Sequence, residues 1–343
     1  MGLVEQVLAG DRLALARLLT QIENDKPEGR EALDRLFAFT GRAHLVGVTG
    51  SPGTGKSSLV NQLARAFRQP EDGSDPVRVA ILAVDPSSPF SGGALLGDRV
   101  RMRDLSGDPD VFIRSMASRG ALGGLARATA ALSQALDAAG YPLILIETVG
   151  AGQSEVDIAR LAHTTIVVES PGMGDDIQAI KAGILEIADI LVVNKADRPG
   201  VENTERALRA MLDLGHPAAH KHGPSLGAGE AEPAAEQGWV PPVLRAVSTR
   251  GEGVAEIAAA IRRHGEYLRS SGLWQQREKL RLESELDALL RDLLARRWRA
   301  GLDEDLYRQT FDGLLQRQIS PLQAAETLLR QAERETSNPT RAS

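Results

Sequence analysis

The chain of 343 residues contains no cysteine. That absence excludes disulfides, thiolate zinc sites and a cysteine nucleophile, and it fits a reducing compartment. Aromatic residues make up only 3% of the chain. The hydrophobic core must therefore be built from leucine, valine, isoleucine and alanine.

Long apolar runs and basic clusters are also missing. No uninterrupted apolar stretch approaches the roughly 20 residues needed to cross a bilayer. The first residues lack the basic region of a signal peptide, and Gln6 stands where a myristoylation site needs Ser or Thr. The net charge is −6, with both signs interspersed, so no basic face for nucleic acid is visible. We expect a cytoplasmic protein that binds neither membrane nor nucleic acid.

Short apolar runs alternate with helical patterns from residue 44 onward. Most runs are rich in valine, isoleucine and leucine without polar alternation, which is typical of strands buried on both faces. The sequence therefore predicts an α/β fold with a largely parallel central sheet between layers of helices. The predicted strands are Leu45–Val48, Val79–Val84, Val111–Ile113, Leu143–Ile146, Thr165–Val168, Ile190–Val193 and Val243–Val247.

The segments flanking the sheet region are predicted to be helical. Residues 1–40 form an N-terminal extension, with a break at residues 25–29. Residues 41–265 form the sheet domain, 266–334 a C-terminal helical arm, and 335–343 a flexible tail. The arm carries one leucine stripe that either folds back on its own domain or forms a subunit interface. The stripe consists of Leu282, Leu286, Leu289, Leu290, Leu293 and Leu294.

Residues 215–242 are rich in Gly, Pro, Ala and Glu and are predicted to form a surface loop before the last strand. His216, His220 and His222 lie near its start. We interpret them as solvated loop histidines rather than metal ligands, because no predicted strand or helix fixes them.

A glycine-rich loop between a predicted strand and a predicted helix is the most informative motif. Its sequence, Gly-Ser-Pro-Gly-Thr-Gly-Lys-Ser, is typical of a phosphate-binding P-loop in that context. The glycines allow backbone N–H groups to face the phosphates, Lys56 reaches the β- and γ-phosphates, and the Ser57 hydroxyl can bind Mg²⁺. The predicted phosphate-binding residues are Gly50, Ser51, Pro52, Gly53, Thr54, Gly55, Lys56, Ser57 and Ser58.

Two later motifs follow predicted strands in the order expected of a GTPase. Glu147 ends one strand, and Gly150 follows three residues later, as an Mg²⁺-side acid and a γ-phosphate contact would. Asn194-Lys195-Ala-Asp197 ends another strand. The Asp197 carboxylate can accept hydrogen bonds from guanine N1–H and the 2-amino group, which adenine cannot offer. The motifs together predict GTP and GDP as ligands, with Mg²⁺.

Other residues are predicted to have supporting roles in the same pocket. Asn194 can bind the N7/O6 edge of guanine, the stem of Lys195 can lie along the purine face, and the backbone at Ser248 and Thr249 can meet O6. Asp85, Asp98 and Glu147 are candidate metal ligands with Ser57. Mg²⁺ takes few carboxylates directly, so some of them must act through water or in one nucleotide state only.

These segments together resemble the MeaB/ArgK family. The resemblance is carried by the P-loop and by residues 84–102, 115–120, 147–155 and 171–181, and it runs from about residue 40 to 270. The family consists of G-protein chaperones for adenosylcobalamin-dependent acyl-CoA mutases and includes the human methylmalonic aciduria type A protein. The resemblance implies GTP hydrolysis coupled to mutase protection and gated cofactor loading, and a homodimer formed through the C-terminal arm.

The resemblance also implies three switch segments, at residues 85–101, 147–159 and 170–181. In the third, Asp175, Gln178 and Lys181 match positions that relay signals between G protein and mutase. Gln153 is not assigned as the water-positioning residue, because Ala151 and Gly152 separate it from Gly150. The candidate catalytic residues are Lys56, Asp85, Arg101 and Lys181, and we expect slow hydrolysis until a partner orders the switches.

Three other functions remain open from the sequence. A small-molecule kinase needs an acceptor pocket and a base near the γ-phosphate; Asp85 could serve as the base, but no segment is committed to an acceptor. A nickel-insertion GTPase is expected to carry a Cys or Cys/His cluster near its switches, and this chain has no cysteine. A pure scaffold would have no need of Asp197.

Overall fold

A computed structural model describes residues 2–86, 105, 107–118, 124–148, 160–172, 187–215 and 238–336. Seven strands within these residues form one sheet, and every neighbouring pair is parallel. The strands are β1 (His44–Thr49), β2 (Val79–Pro86), β3 (Val111–Ser118), β4 (Leu143–Glu147), β5 (Thr164–Glu169), β6 (Ile190–Asn194) and β7 (Val243–Ala246). This confirms the predicted α/β class and all seven predicted strands.

The order across the sheet is β3-β2-β4-β1-β5-β6-β7. The chain leaves β1 for one half of the sheet and later returns to β5 on its other side, so the strand order reverses beside β1. In open parallel sheets, ligands bind outside the carboxyl ends of the strands at such a reversal. The P-loop follows β1 directly and therefore lies at that position.

Helices cover both faces of the sheet. They are α1 (Leu3–Leu8), α2 (Arg12–Glu23), α3 (Pro27–Leu36), α4 (Lys56–Arg68), α5 (Gly124–Ala138), α6 (Val201–Gly215), α7 (Val254–Ser270), α8 (Leu273–Ala300), α9 (Glu304–Leu315) and α10 (Pro321–Thr336). The N-terminal helices begin at residue 3 and break near Pro27, as predicted; a short 3₁₀ helix (Phe37–Phe39) follows them. Among the described residues, none of the helices combines the length and apolarity needed to span a membrane.

Alternate side chains of the strands feed two different apolar layers. Leu45 and Leu82 face one layer, where they join buried residues of α1, α2, α3 and α5. Val46 and Ile81 face the other, which α4 and α7 cover. A third cluster lies between β5, β6 and α6. Because both faces are covered, the strands read as continuous apolar runs rather than as alternating ones.

The chain divides into two compact units, residues 1–282 and 283–343. The first contains the sheet and its helices. In the second, the Trp298 indole N–H donates to the carbonyl of Leu328 at 3.3 Å, and the Asp303 carboxylate caps the first turn of α9. Residues 216–237, which include most of the predicted loop and its three histidines, lie outside the described part of the chain.

Candidate nucleotide site

The loop after β1 has the backbone of a phosphate cradle. Gly50, Gly53 and Gly55 have φ values of 132°, 80° and 94°, in the region that favours glycine. A Cβ on Gly50 would collide with the carbonyl of Val168 in β5, and one on Gly55 would collide with the Asn194 amide. These two glycines are therefore required by close approach as well as by dihedral angle.

Lys56 opens α4 and is buried despite its charge. Its Nζ donates to the carbonyl oxygens of Gly50, at 2.7 Å, and Ser51, at 3.0 Å. The ammonium is thus held over the loop by the loop's own backbone. A buried ammonium at the N-terminus of a helix provides positive charge where phosphate groups bind.

The next residue of the P-loop contacts the strand that ends in an acid. Ser57 Oγ donates to Glu147 Oε1 at 2.5 Å, and the Glu147 side chain is only 5% exposed. Behind this pair, the Thr148 hydroxyl donates to that of Thr49 at 3.2 Å. The structure therefore brings together two of the predicted metal-binding residues, one from the start of α4 and one from the end of β4.

The predicted base-recognition motif is tied to the P-loop by hydrogen bonds. Asn194 Nδ2 donates to the carbonyl of Thr54 at 2.7 Å, and Lys195 Nζ donates to that of Gly53 at 2.5 Å. Asn194 Oδ1 accepts from both the backbone N–H and the hydroxyl of Ser248, at 3.1 and 2.7 Å. Asn194 therefore joins three segments of the site: the P-loop, the end of β6 and the turn after β7.

Asp197 lies three residues after Asn194, and its side chain is exposed. Its Oδ2 is 4.0 Å from the guanidinium of Arg250, which pairs more closely with Glu252, at 2.7 Å. Thr249 precedes Arg250 in the same turn and is exposed. The turn that carries Ser248 and Thr249 thus lies next to Asp197.

Several predicted site residues cannot be placed. Asp85 is the last residue but one of β2, and its backbone pairs with that of Ala117. Its side chain lies outside the described part of the structure. The other predicted site residues outside it are Asp98, Arg101, Gly150, Asp175, Gln178 and Lys181. Their roles remain predictions.

The sequence did not identify three contributors to this site. They are the Val168 carbonyl, which limits Gly50, the Thr49–Thr148 hydroxyl pair, and Arg250 beside Asp197. The first two depend on which strands neighbour β1, which the sequence does not state. Arg250 follows Ser248 and Thr249 directly, and that proximity is a signal that could have identified it.

A strand, a glycine cradle, a helix-opening lysine and a base-recognition motif at one edge of a parallel sheet define a P-loop GTP-binding protein. A family model described as methylmalonyl-CoA mutase-associated GTPase MeaB matches residues 15–303. The chain belongs to this family and is a GTPase. The match confirms the sequence resemblance and extends it into both helical flanks.

Individual relatives agree with the family match. A protein of Pyrococcus abyssi that carries a GTPase name is 42% identical over 329 residues, which is 96% of this chain and 95% of its own length. The mitochondrial methylmalonic aciduria type A homolog of Mus musculus is 34% identical over 280 residues, covering 78% of this chain and 63% of its own. A crystal structure described as an LAO/AO transport system kinase is similar at a TM-score of 0.64 and 26% identity, covering 98% of this chain and 97% of that one.

Proposed function

We propose that this GTPase is a chaperone of an adenosylcobalamin-dependent acyl-CoA mutase of the methylmalonyl-CoA mutase type. In this role it gates loading of the cofactor and protects the mutase from inactivation. The observation that carries the proposal is the family match over residues 15–303, whose description names association with methylmalonyl-CoA mutase. The name of the mouse relative points to the same pathway.

The nucleotide is held by two groups of residues at the sheet edge. Residues 50–58 surround the phosphates, with Gly150 as a further γ-phosphate donor. Asn194, Lys195 and Asp197 bind guanine, together with Ser248 and Thr249. Asn194 donates to the carbonyl of Thr54 and accepts from the hydroxyl of Ser248; these bonds support this division, because they fix the base-binding segment relative to the phosphate cradle.

The residues present fit a magnesium ion. Ser57 Oγ and the buried Glu147 carboxylate lie in contact beside the P-loop, and Mg²⁺ prefers such oxygen ligands. We propose Ser57 and Glu147 as its holders, with Asp85 and Asp98 acting through water or in one nucleotide state. When bound, the ion neutralises phosphate charge that develops during hydrolysis.

Hydrolysis is proposed to depend on the partner. Lys56 is held in place by the P-loop backbone, whereas Arg101 and Lys181 belong to switch segments. We propose that the mutase orders those switches through Asp175, Gln178 and Lys181, bringing Arg101 and Lys181 to the transition-state charge. Order imposed by a partner is a recognised way for GTPases to accelerate turnover.

Single-turnover GTP hydrolysis with and without the candidate mutase tests this function. We expect slow phosphate release by the chaperone alone and a rate increase of at least about tenfold with its mutase, by analogy with GTPases activated in trans. A Lys181→Ala variant is expected to retain GTP binding but lose the increase, and Lys56→Ala is the control for lost phosphate binding. Equal rates with and without every candidate mutase would contradict the proposal.

Complex formation identifies the partner independently of rate. Pull-downs with methylmalonyl-, ethylmalonyl-, isobutyryl- and 2-hydroxyisobutyryl-CoA mutases, in GDP and in a non-hydrolysable GTP analogue, are expected to select one of them in a nucleotide-dependent way. Release of phosphate to water without an acceptor separates this function from a small-molecule kinase.

A further inference from the structure

Three buried histidines lie near the amino ends of the strands, whereas the P-loop follows the carboxyl end of β1. His44 begins β1, His163 directly precedes β5, and His264 lies in α7. Their side chains are 8%, 2% and 0% exposed. Because the strands are parallel, their amino ends are remote from the nucleotide, and none of the roles assigned above uses these histidines.

The first turns of α8 cover this cluster. We call residues 273–282 the α8 root; all of them belong to the first compact unit. The Trp274 ring stacks on His163 with centroids 3.9 Å apart, and Glu278 Oε1 lies 2.6 Å from His163 Nε2. Arg277 forms a two-pronged ion pair with Asp189, at 2.8 and 2.9 Å, and also donates to the carbonyl of His163. The root is therefore held largely by polar contacts to residues that precede β5 and β6.

The hydrogen bonds of His163 fix its tautomer. Its Nδ1 accepts from the backbone N–H of Leu45 at 3.0 Å, so Nδ1 carries no proton. The ring proton must then lie on Nε2, where it donates to Glu278. A second proton would have to enter at Nδ1, directly opposite the Leu45 N–H. Protonation thus replaces a hydrogen bond with two facing donors inside the fold.

The other two histidines form a chain with one hydroxyl. Thr164 Oγ1 lies 2.6 Å from His44 Nε2 and 2.8 Å from His264 Nδ1, and it has only one proton to donate. His264 Nε2 lies 3.2 Å from Asp189 Oδ1, which favours a proton on that nitrogen. Thr164 then donates to His264 Nδ1 and accepts from His44 Nε2. In this arrangement a ring hydrogen lies on Nε2 of all three histidines, and a donor at His264 Nδ1 would give Thr164 a second donor.

Charged residues around the cluster both raise and lower the pKa values of its histidines. Burial lowers the pKa of His44 well below its usual value, and His163, Arg269 and His264 lower it further while Asp189 opposes them. Burial also lowers the pKa of His163. Glu278 raises this pKa, and Arg281 and Arg277 lower it further. Burial would raise the pKa of Asp189 and of Glu278, but hydrogen bonds outweigh it. Arg277 and His264 hold the pKa of Asp189 down, and His163 and Arg281 bring the pKa of Glu278 to about 2.

We propose that the histidine cluster is a proton-sensitive latch that holds the α8 root on the sheet only while His163 and its neighbours are neutral. The direction of the pH dependence follows from His44 and His163, whose pKa values are lowered by burial. Each binds a proton more readily once the root has opened, so opening becomes more favourable as the pH falls below the exposed value of about 6.5. Above that value the latch is closed, because neither form takes up a proton.

Hydrogen exchange of the full chain tests the latch. The opening constant of residues 273–282, corrected for the intrinsic exchange rate, is measured from pH 7.5 to 5.5 and compared with that of α4, which contains no histidine. As the pH falls from 7.5 to 5.5, we expect the opening constant of residues 273–282 to rise about tenfold for each histidine that titrates, starting with His163. His163→Asn keeps an acceptor for Leu45 but cannot titrate, so it is expected to reduce the rise by about tenfold. The matched control replaces His216, His220 and His222 with Asn and is expected to retain the whole rise.

Either of two exchange results would overturn the latch: a rise of the same size in His163→Asn, or loss of protection in α4 together with the root. The second would mean that protons unfold the whole unit. A further measurement needs no substitution. Nitrogen-15 spectra of labelled histidine at pH 7.5 are expected to report Nε2–H at His163 and His264, and an Nδ1–H tautomer at His163 would refute the geometry on which the latch depends.

Discussion

At the scale of single residues, we propose that base selection depends on Asp197. Xanthine carries a carbonyl where guanine carries its 2-amino group, so a side-chain amide at 197 matches xanthine and a carboxylate matches guanine. We expect Asp197→Asn to weaken GTP binding by about 10- to 100-fold, the effect of one or two mismatched polar contacts, and to strengthen XTP binding. Competition binding between GTP and XTP measures the change.

The control for that substitution is Asp34→Asn, which removes an exposed carboxylate from α3, remote in sequence from every nucleotide-binding motif. It is expected to leave both affinities unchanged. An Asp197→Asn protein that still prefers GTP would show that another residue reads the 2-amino group, and Arg250 with its neighbours would then be examined first.

Residues within motifs were predictable, and residues whose role depends on packing were not. Gly50, Lys56 and Asn194 were identified because their chemistry is fixed by neighbours in the sequence. The bond between Ser57 and Glu147 joins two such motifs and follows once β1 and β4 are adjacent. His163 stands outside any motif and becomes informative only when α8 covers it.

At the scale of elements, the strands were predictable because both of their faces are buried. Val111–Ile113 was predicted too short, since β3 continues to Ser118. Residues 114–118 include Arg114 and two serines, and their strand conformation comes from pairing with Leu82–Pro86 of β2. Partners of this kind are distant in the sequence and leave no local pattern.

One shielded ion pair joins α2 to β3. Arg114 pairs with Glu23, and their side chains are only 17% and 14% exposed. Removing one partner leaves a charge largely shielded from water, which costs about 3–5 kcal/mol when burial is complete. Because this pair is partly exposed, we expect Glu23→Ala to lower the free energy of unfolding by about 2–3 kcal/mol. Urea unfolding measures it.

A more exposed ion pair in the N-terminal helices serves as the control for Glu23→Ala. Glu5 pairs with Arg35, but their side chains are 43% and 53% exposed, so water screens the interaction. Glu5→Ala is expected to shift the urea midpoint far less than Glu23→Ala. Equal shifts would mean that Arg114 finds solvent or another acceptor when Glu23 is removed.

At the scale of the whole molecule, the second unit carries a row of exposed apolar side chains. Leu286, Leu290, Leu293 and Leu294 are 48–63% exposed along α8, and Phe311 and Leu315 are exposed on α9. Exposed apolar patches of this kind mark interaction sites. From the sequence alone, the leucine stripe either folds back on its own domain or forms a subunit interface, and its exposure favours the interface. We therefore propose that two copies of the chain associate through residues 283–334.

Charge placed within the leucine stripe tests that association. Leu293→Glu puts a carboxylate at the centre of the proposed interface, where it would lose its water, so we expect the dimer to dissociate into monomers. Leu280→Glu is the matched control, because Leu280 is 59% exposed on the same helix but precedes residues 283–334 and lies about a third of a turn from the centre of the stripe. Sedimentation velocity compares the two.

Hydrolysis of GTP without a partner is expected to be unchanged in both variants, since every nucleotide-binding residue proposed here precedes residue 250. A dimer that survives Leu293→Glu, or a wild-type monomer, would remove the arm from the assembly and leave its exposed leucines for the mutase.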